Sequence, residues 1–136
     1  FNRFLFFYLI LLFLSAFTFN EYFIYYFTIF NCRWPKVVKV DFNRDSYQRL
    51  LVLSDPHLLG DVEGHWFDKL RREWQMYMSF QSAVNWFRPD GVFILGDLLD
   101  EGKWANEEQW DRYVANAKQL FNTPSGVQLH VCRWKP

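Results

Sequence analysis

The sequence predicts an α/β unit of order βαβαβ carried behind one membrane-spanning helix. Three observations support that class: an uncharged aromatic-rich run at the N-terminus, three short Leu/Val-type runs further on, and two amphipathic runs between those three. The chain has 136 residues, the size of one domain, and its 15 basic residues are matched by 15 acidic ones. That balance leaves no basic footprint for nucleic acid, so no nucleic-acid partner is expected.

Of the 30 Phe, Tyr and Trp residues, 14 lie in positions 1–30, which makes the N-terminus a different material from the rest. Residues 4–19, FLFFYLILLFLSAFTF, are uncharged, and after Asn20 and Glu21 the apolar run resumes as YFIYYFTIF up to Phe30. At about 1.5 Å per residue this stretch makes a helix of roughly 40 Å, longer than the roughly 30 Å of bilayer hydrocarbon. A single tilted span is expected. Leu14-Ser15-Ala16 is a poor signal-peptidase site and the apolar pattern runs on past it, which favours an uncleaved anchor over a cleaved signal. Glu21 is expected near one membrane boundary beside Tyr22, Tyr25 and Tyr26, its rival role being a partner contact inside the membrane. Arg33, Lys36, Lys39, Arg44 and Arg49 follow the span and only Arg3 precedes it. The positive-inside rule alone would therefore place the C-terminal part in the cytosol.

The expected divisions are an anchor over 1–31, a linker over 32–48 containing Pro35, an α/β unit over 49–132 and a tail over 133–136. RLLVLSD (49–55) reads as a buried strand. HWFDKLRREWQMYMSFQSAVNWF (65–87) spaces Phe67, Leu70, Trp74, Tyr77, Phe80, Val84 and Phe87 by three or four, as an amphipathic helix does, and Arg88-Pro89 stops it. GVFILGD (91–97) is the second strand. NEEQWDRYVANAKQLF (106–121) begins with Asn106 as N-cap and Gln109 three residues on, with Trp110, Tyr113, Val114, Ala117, Leu120 and Phe121 on one face. Pro124-Ser125-Gly126 turns the chain into a third strand, VQLHV (127–131). Strands separated by helices call for a parallel sheet with right-handed crossovers.

In such a sheet function gathers beyond the carboxyl ends of the strands. Asp55 and His57 follow the first strand, and extended backbone would aim residues two apart the same way. Asp97 and Asp100 follow the second strand in LGDLLDEG, where Gly96 permits close approach of backbone. Each acid alone could be a turn cap and His57 alone a loop residue. Together, Asp55, His57 and Asp97 make a set of two carboxylates and one imidazole suited to Mn²⁺, iron or Zn²⁺ rather than Ca²⁺.

SDPHLLG (54–60) and LGDLLDEG (95–102) resemble the first two metal-binding blocks of the calcineurin-like metallophosphoesterases, and the resemblance runs from the N-terminal EYFIYYFTIFNCRWP to about Leu129. It implies a partial αββα sandwich and a two-metal phosphoesterase, with Mn²⁺ as the expected ion. Asp55 and His57 would ligate one metal, Asp97 would bridge two, and Asp100 would support a catalytic histidine. Two such metals would activate a bridging hydroxide for in-line attack on phosphorus. The wider run from Gly64 to Trp104 is similar to membrane phosphodiesterases of that family that act on a GPI-anchor glycolipid, removing ethanolamine phosphate from the second mannose. This implies a catalytic part in the lumen at ER exit sites, the ER-Golgi intermediate compartment or the Golgi, supporting transport of GPI-anchored proteins, and the implied side of the membrane opposes the charge count. Glu101 stands where phosphoprotein phosphatases of the superfamily carry a phosphate-binding Arg, and it would suit a cationic amine on the substrate.

The family continues with a Gly-Asn-His-Asp block, and no Gly-Asn-His occurs here. A truncated chain, inactive or nearly so, is therefore expected, with three strands leaving apolar faces uncovered. The competing reading is a membrane-anchored fragment that binds the full-length enzyme or has no role. His65 and His130 are expected to be structural or exposed, Trp104 and Trp110 to pack against the sheet, and Lys69, Arg71 and Arg72 to form a solvated helix face. Cys32 and Cys132 offer one disulfide pairing that nothing else in the sequence supports.

Overall fold

The computed structural model describes residues 2–34, 48–62 and 65–132. The expected linker, apart from its two ends, and the expected tail at 133–136 lie outside them. The chain divides into two compact units, Phe1–Pro35 and Lys36–Pro136.

The first unit is one continuous helix with a change of pitch. Helix α1 (Arg3–Thr18) passes into a π-helical turn (Phe19–Phe23) and then into α2 (Ile24–Asn31). The whole run is 29 residues long and its most apolar 18-residue stretch has a mean hydropathy of 1.8, long and apolar enough to cross a membrane. The polar pair Asn20-Glu21 sits within the π turn, and Asn20 Nδ2 donates to the carbonyl of Ala16 at 2.8 Å. That side chain takes up backbone hydrogen-bonding capacity where the ladder changes register.

The second unit has the expected element order. Strands β1 (Leu50–Ser54), β2 (Gly91–Leu95) and β3 (Gln128–Val131) form a parallel sheet in the order β1-β2-β3, with Leu50 opposite Gly91 and Gly91 opposite Gln128. Helices α3 (Trp66–Phe87) and α4 (Glu107–Leu120) make the crossovers. Because the strands follow one another in space, two crossovers of the same hand bring both helices to the same face. The core shows this directly: Phe80 and Val84 of α3 and Ala117 and Leu120 of α4 pack with Val92 and Ile94 of β2. Each large side chain buried there contributes about 1.5–3 kcal/mol.

The other face, which presents Leu50, Val52, Phe93 and Leu95, has Leu50, Val52 and Leu95 exposed, and there the ring of Phe93 stacks on His130 with centroids 4.7 Å apart. Among the described residues the fold is therefore one helical layer on one sheet.

Local sequence accounts for the helix ends. Asn106 and Gln109 form a reciprocal capping box on α4, as their spacing predicts. His65 caps α3, its Nδ1 accepting the Phe67 N–H at 3.3 Å, a structural role. Arg88 ends α3 at φ 49°, its N–H donating to Val84.

The expected apolar stripe of α3 needs correction. Phe80 and Val84 are buried, and Met78 and Ser82 join them, but Phe67 and Leu70 are exposed. The 3.6-residue period continues into the first two turns of the helix, where these two side chains find no core to enter. Ser82 is accommodated because its hydroxyl donates back to Met78 O at 2.6 Å.

Candidate functional site

Beyond the carboxyl ends of β1 and β2 the parallel ladder does not stop. Asp55 N–H donates to Leu95 O at 2.9 Å, His57 N–H to Asp97 O at 3.1 Å, Leu58 N–H to Leu98 O at 2.9 Å, and Asp100 N–H back to Leu58 O at 3.0 Å. Leu58 and Leu99 form a parallel bridge, and Leu58 is buried in the core. The two loops carrying the candidate residues are thus zipped together by backbone and anchored by one leucine.

That zipper brings all four candidates to one sheet end, but not in extended backbone. Asp55 has φ 50° and His57 φ 51°, both left-handed, with Pro56 between them. Expecting the two side chains to point alike because they are two apart in a strand is therefore incorrect. The backbone turns twice there, in a conformation that costs a non-glycine residue about 1–2 kcal/mol and is over-represented at functional sites.

Of the four, only His57 and Asp100 meet side chain to side chain, and Asp55 reaches Asp97 through its backbone. Asp55 Oδ1 accepts the Asp97 N–H at 2.9 Å, and its Oδ2 accepts the Ser54 hydroxyl. The Ser54 bond, then the Asp97 N–H, hold the Asp55 carboxyl below its ordinary range. His57 Nδ1 is paired with Asp100 Oδ1, and this bond, with the charges of Asp100, Asp97 and Asp55, raises the imidazole pKa. Asp100 was expected to support a histidine from a later block; in this structure it orients His57. Holding Nδ1 by a carboxylate leaves Nε2 as the ring nitrogen outside that bond, an arrangement common behind metal-bound histidines.

Among the described residues no group of three or more His, Cys, Asp or Glu side chains is arranged so that it could hold a metal ion. Both oxygens of Asp55 and one nitrogen of His57 are engaged within the protein. The donors have the right chemistry for a divalent cation, and the expected three-way convergence is replaced by two pairwise contacts.

Glu101 is only 5 % exposed, and its carboxylate accepts the Val62 N–H at 3.0 and 3.2 Å and the Tyr113 hydroxyl at 3.3 Å. It faces inward, so the expectation that it would meet a cationic amine on a substrate is overturned. The Tyr113 oxygen also accepts the Asp61 N–H at 2.9 Å, and Asp61 pairs with Arg112 at 2.7 Å and Lys69 at 3.4 Å. Lys69 is thus a structural cation rather than part of a purely solvated face. Sequence reasoning missed this network, since its members are separated by up to 52 positions. The one local signal was the small residue Gly60, where a Cβ would stand 2.9 Å from Glu101 Cβ and nearer still to its carboxylate.

Of the other residues singled out, Trp104 is exposed rather than packed on the sheet, while Trp110 lines a cavity of about 280 Å³ together with Asp97, Phe121 and Cys132. Cys32 and Cys132 are both free thiols.

The zipped strand-end loops present Asp-Pro-His and Gly-Asp-Leu-Leu-Asp side by side, and the chain has relatives over most of its length. The chain is 46 % identical over 120 residues to metallophosphoesterase 1 of Cricetulus griseus, covering 87 % of this chain and 31 % of that protein. Against metallophosphoesterase 1 of Danio rerio it is 48 % identical over 123 residues, 90 % of this chain and 32 % of that one. The Ailuropoda melanoleuca protein of the same name is 49 % identical over 116 residues, 83 % of this chain and 29 % of that protein. The chain is therefore a homologue of these metallophosphoesterases over most of its own length, and it spans about 30 % of the length of the curated relatives it matches. No family model and no solved structure matches it.

Proposed function

We propose that this chain carries the first two ligand loops of a membrane-anchored, metal-dependent phosphodiesterase. Asp55, His57 and Asp97 would hold divalent metal, with Mn²⁺ the expected ion and Asp97 the shared ligand of a two-metal centre. Bound there, the metals would activate water and neutralise charge developing on phosphorus. The remaining work falls to the protein's own groups: Asp100 orients His57 through Nδ1, and the Asp97 N–H orients the Asp55 carboxylate. The observation that carries the reading is the continuation of the β1–β2 ladder through Leu58, which holds both loops in one register.

The open apolar face of the sheet fits half of an αββα sandwich. The substrate we propose is a GPI-anchor glycolipid carrying ethanolamine phosphate on its second mannose, met from the lumenal side of early secretory membranes. A second reading rests on the absence of any three-donor cluster among the described residues: an anchored fragment without activity that binds the full-length enzyme or has no role.

Mn²⁺ binding followed by electron paramagnetic resonance, alongside hydrolysis of a phosphodiester by the purified chain, separates the two. Saturable binding abolished by Asp97→Asn supports the metal site; binding without hydrolysis favours the fragment; no binding overturns the metal assignment.

A further inference from the structure

Five large apolar side chains stand far out of the second unit: Val62 at 80 % exposure, Trp66 at 69 %, Phe67 at 53 %, Leu70 at 59 % and Trp104 at 76 %. The topology gathers them. In a parallel sheet each crossover helix begins at the carboxyl end of the strand before it, so the start of α3 and the loop before α4 share one end of the unit. That is the end carrying Asp55, His57, Asp97 and Asp100. Val62 and Trp104 line the same hollow of about 200 Å³, and Trp66 meets Phe67 edge to face at 5.7 Å. The rim is held by half-buried hydrogen bonds at its base, with Val62 tied to Glu101 and Gly60 O to Lys69 Nζ at 3.3 Å.

We infer that this rim is a membrane-docking surface whose partner is a lipid bilayer. Two features select a bilayer over a protein. The side chains come from three separate segments, and two are tryptophans, whose amphipathic rings favour the headgroup boundary. The chain also carries its own apolar span over Arg3–Asn31, joined to this unit through residues 32–48. Fully extended, that tether reaches about 60 Å, so once the span inserts, the rim meets lipid at high effective concentration. The inference does not depend on the phosphodiesterase reading, because it concerns where the loops dock and not what they catalyse.

The test uses the full chain with Cys32→Ser and Cys132→Ser, reconstituted in phosphatidylcholine vesicles containing phosphatidylserine. A nitroxide is attached at Val62→Cys or, as reference, at Ser125→Cys in the exposed turn before β3, at the opposite end of the sheet. Accessibility to a water-soluble nickel complex is then compared with accessibility to oxygen by power saturation. The expected result is at least fivefold less nickel access at position 62 than at 125, restored by Trp66→Ser with Trp104→Ser. Equal access at the two positions overturns the inference, as does protection that the double substitution leaves intact. Protection that disappears when excess empty lipid dilutes the protein identifies a contact between copies of the chain, and overturns it too.

Discussion

The carboxylate of Asp55 fills the space that a side chain at Gly96 would occupy. A Cβ on Gly96 would stand 2.7 Å from Asp55 Cγ and closer still to Oδ1, and the residue sits at φ 75°. Gly96→Ala therefore carries two penalties: left-handed strain of about 1–2 kcal/mol, and displacement of Asp55 from the Asp97 N–H. Gly126 provides the reference, with φ 94° and nothing within 4 Å of an added Cβ. Thermal unfolding is expected to show Gly96→Ala as the more damaging substitution. Equal losses at the two glycines would mean that the Asp55 contact carries no weight.

The pairing of His57 with Asp100 predicts a pH dependence. Asp100 raises the His57 pKa above its ordinary 6.5, so this group's contribution to stability is fully present below 6.5 and is lost as pH rises through the raised value. Asp55 works in the opposite sense. Ser54 and the Asp97 N–H lower its pKa below the ordinary 3.8, so its contribution is present above 3.8 and lost as pH falls through the lowered value. Both are at full strength between 3.8 and 6.5. Titration of the His57 ring by NMR checks the first claim: Asp100→Asn is expected to move its midpoint down, and an unmoved midpoint would show that the pair does not form.

Glu101 is expected to matter for stability and not for substrate charge. Replacing it with Gln weakens the acceptor for the Val62 N–H and perturbs the Tyr113 hydroxyl, changes worth about 1–3 kcal/mol each at a buried site. Tyr113→Phe removes the same hydroxyl from Asp61 and Glu101, so the double variant should lose less than the sum of the two singles in chemical denaturation. Burial raises the Tyr113 pKa, so its share of stability is present below the ordinary 10.0 and is lost as pH rises through the raised value. Strict additivity would show that the two residues act separately.

How far the sequence could be read depended on the range of the interactions involved. The capping box of Asn106 and Gln109 was legible because both partners lie within one helical turn. The strand-end positions of Asp55, His57, Asp97 and Asp100 were legible because hydrophobic runs end where loops begin. Their backbone shape was not, since the left-handed turns at Asp55 and His57 are shaped by hydrogen bonds to Leu95 and Asp97 some 40 positions away. Nor could periodicity show that α3 starts beyond the core, which is why Phe67 and Leu70 looked buried. The inward turn of Glu101 depends on Val62 and Tyr113, and neither stands beside it in sequence.

The register of the N-terminal helix follows from its one acid. Among residues Arg3–Asn31, placing Asn31 at a boundary puts Glu21 about 15 Å deep, near the midplane of roughly 30 Å of hydrocarbon. Placing Arg3 at the opposite boundary instead puts Glu21 about 27 Å from it, close to the far interface with Tyr22, Tyr25 and Tyr26 around it. A charged carboxylate at the midplane costs on the order of 3 kcal/mol, which selects the second register. Glycosylation mapping of the span in microsomes is expected to place Arg3 and Glu21 at the two boundaries, with Glu21→Leu letting the span slide so that its centre moves toward α2. A wild-type span already centred on Glu21 would contradict the assignment and make the π turn a polar contact within the membrane.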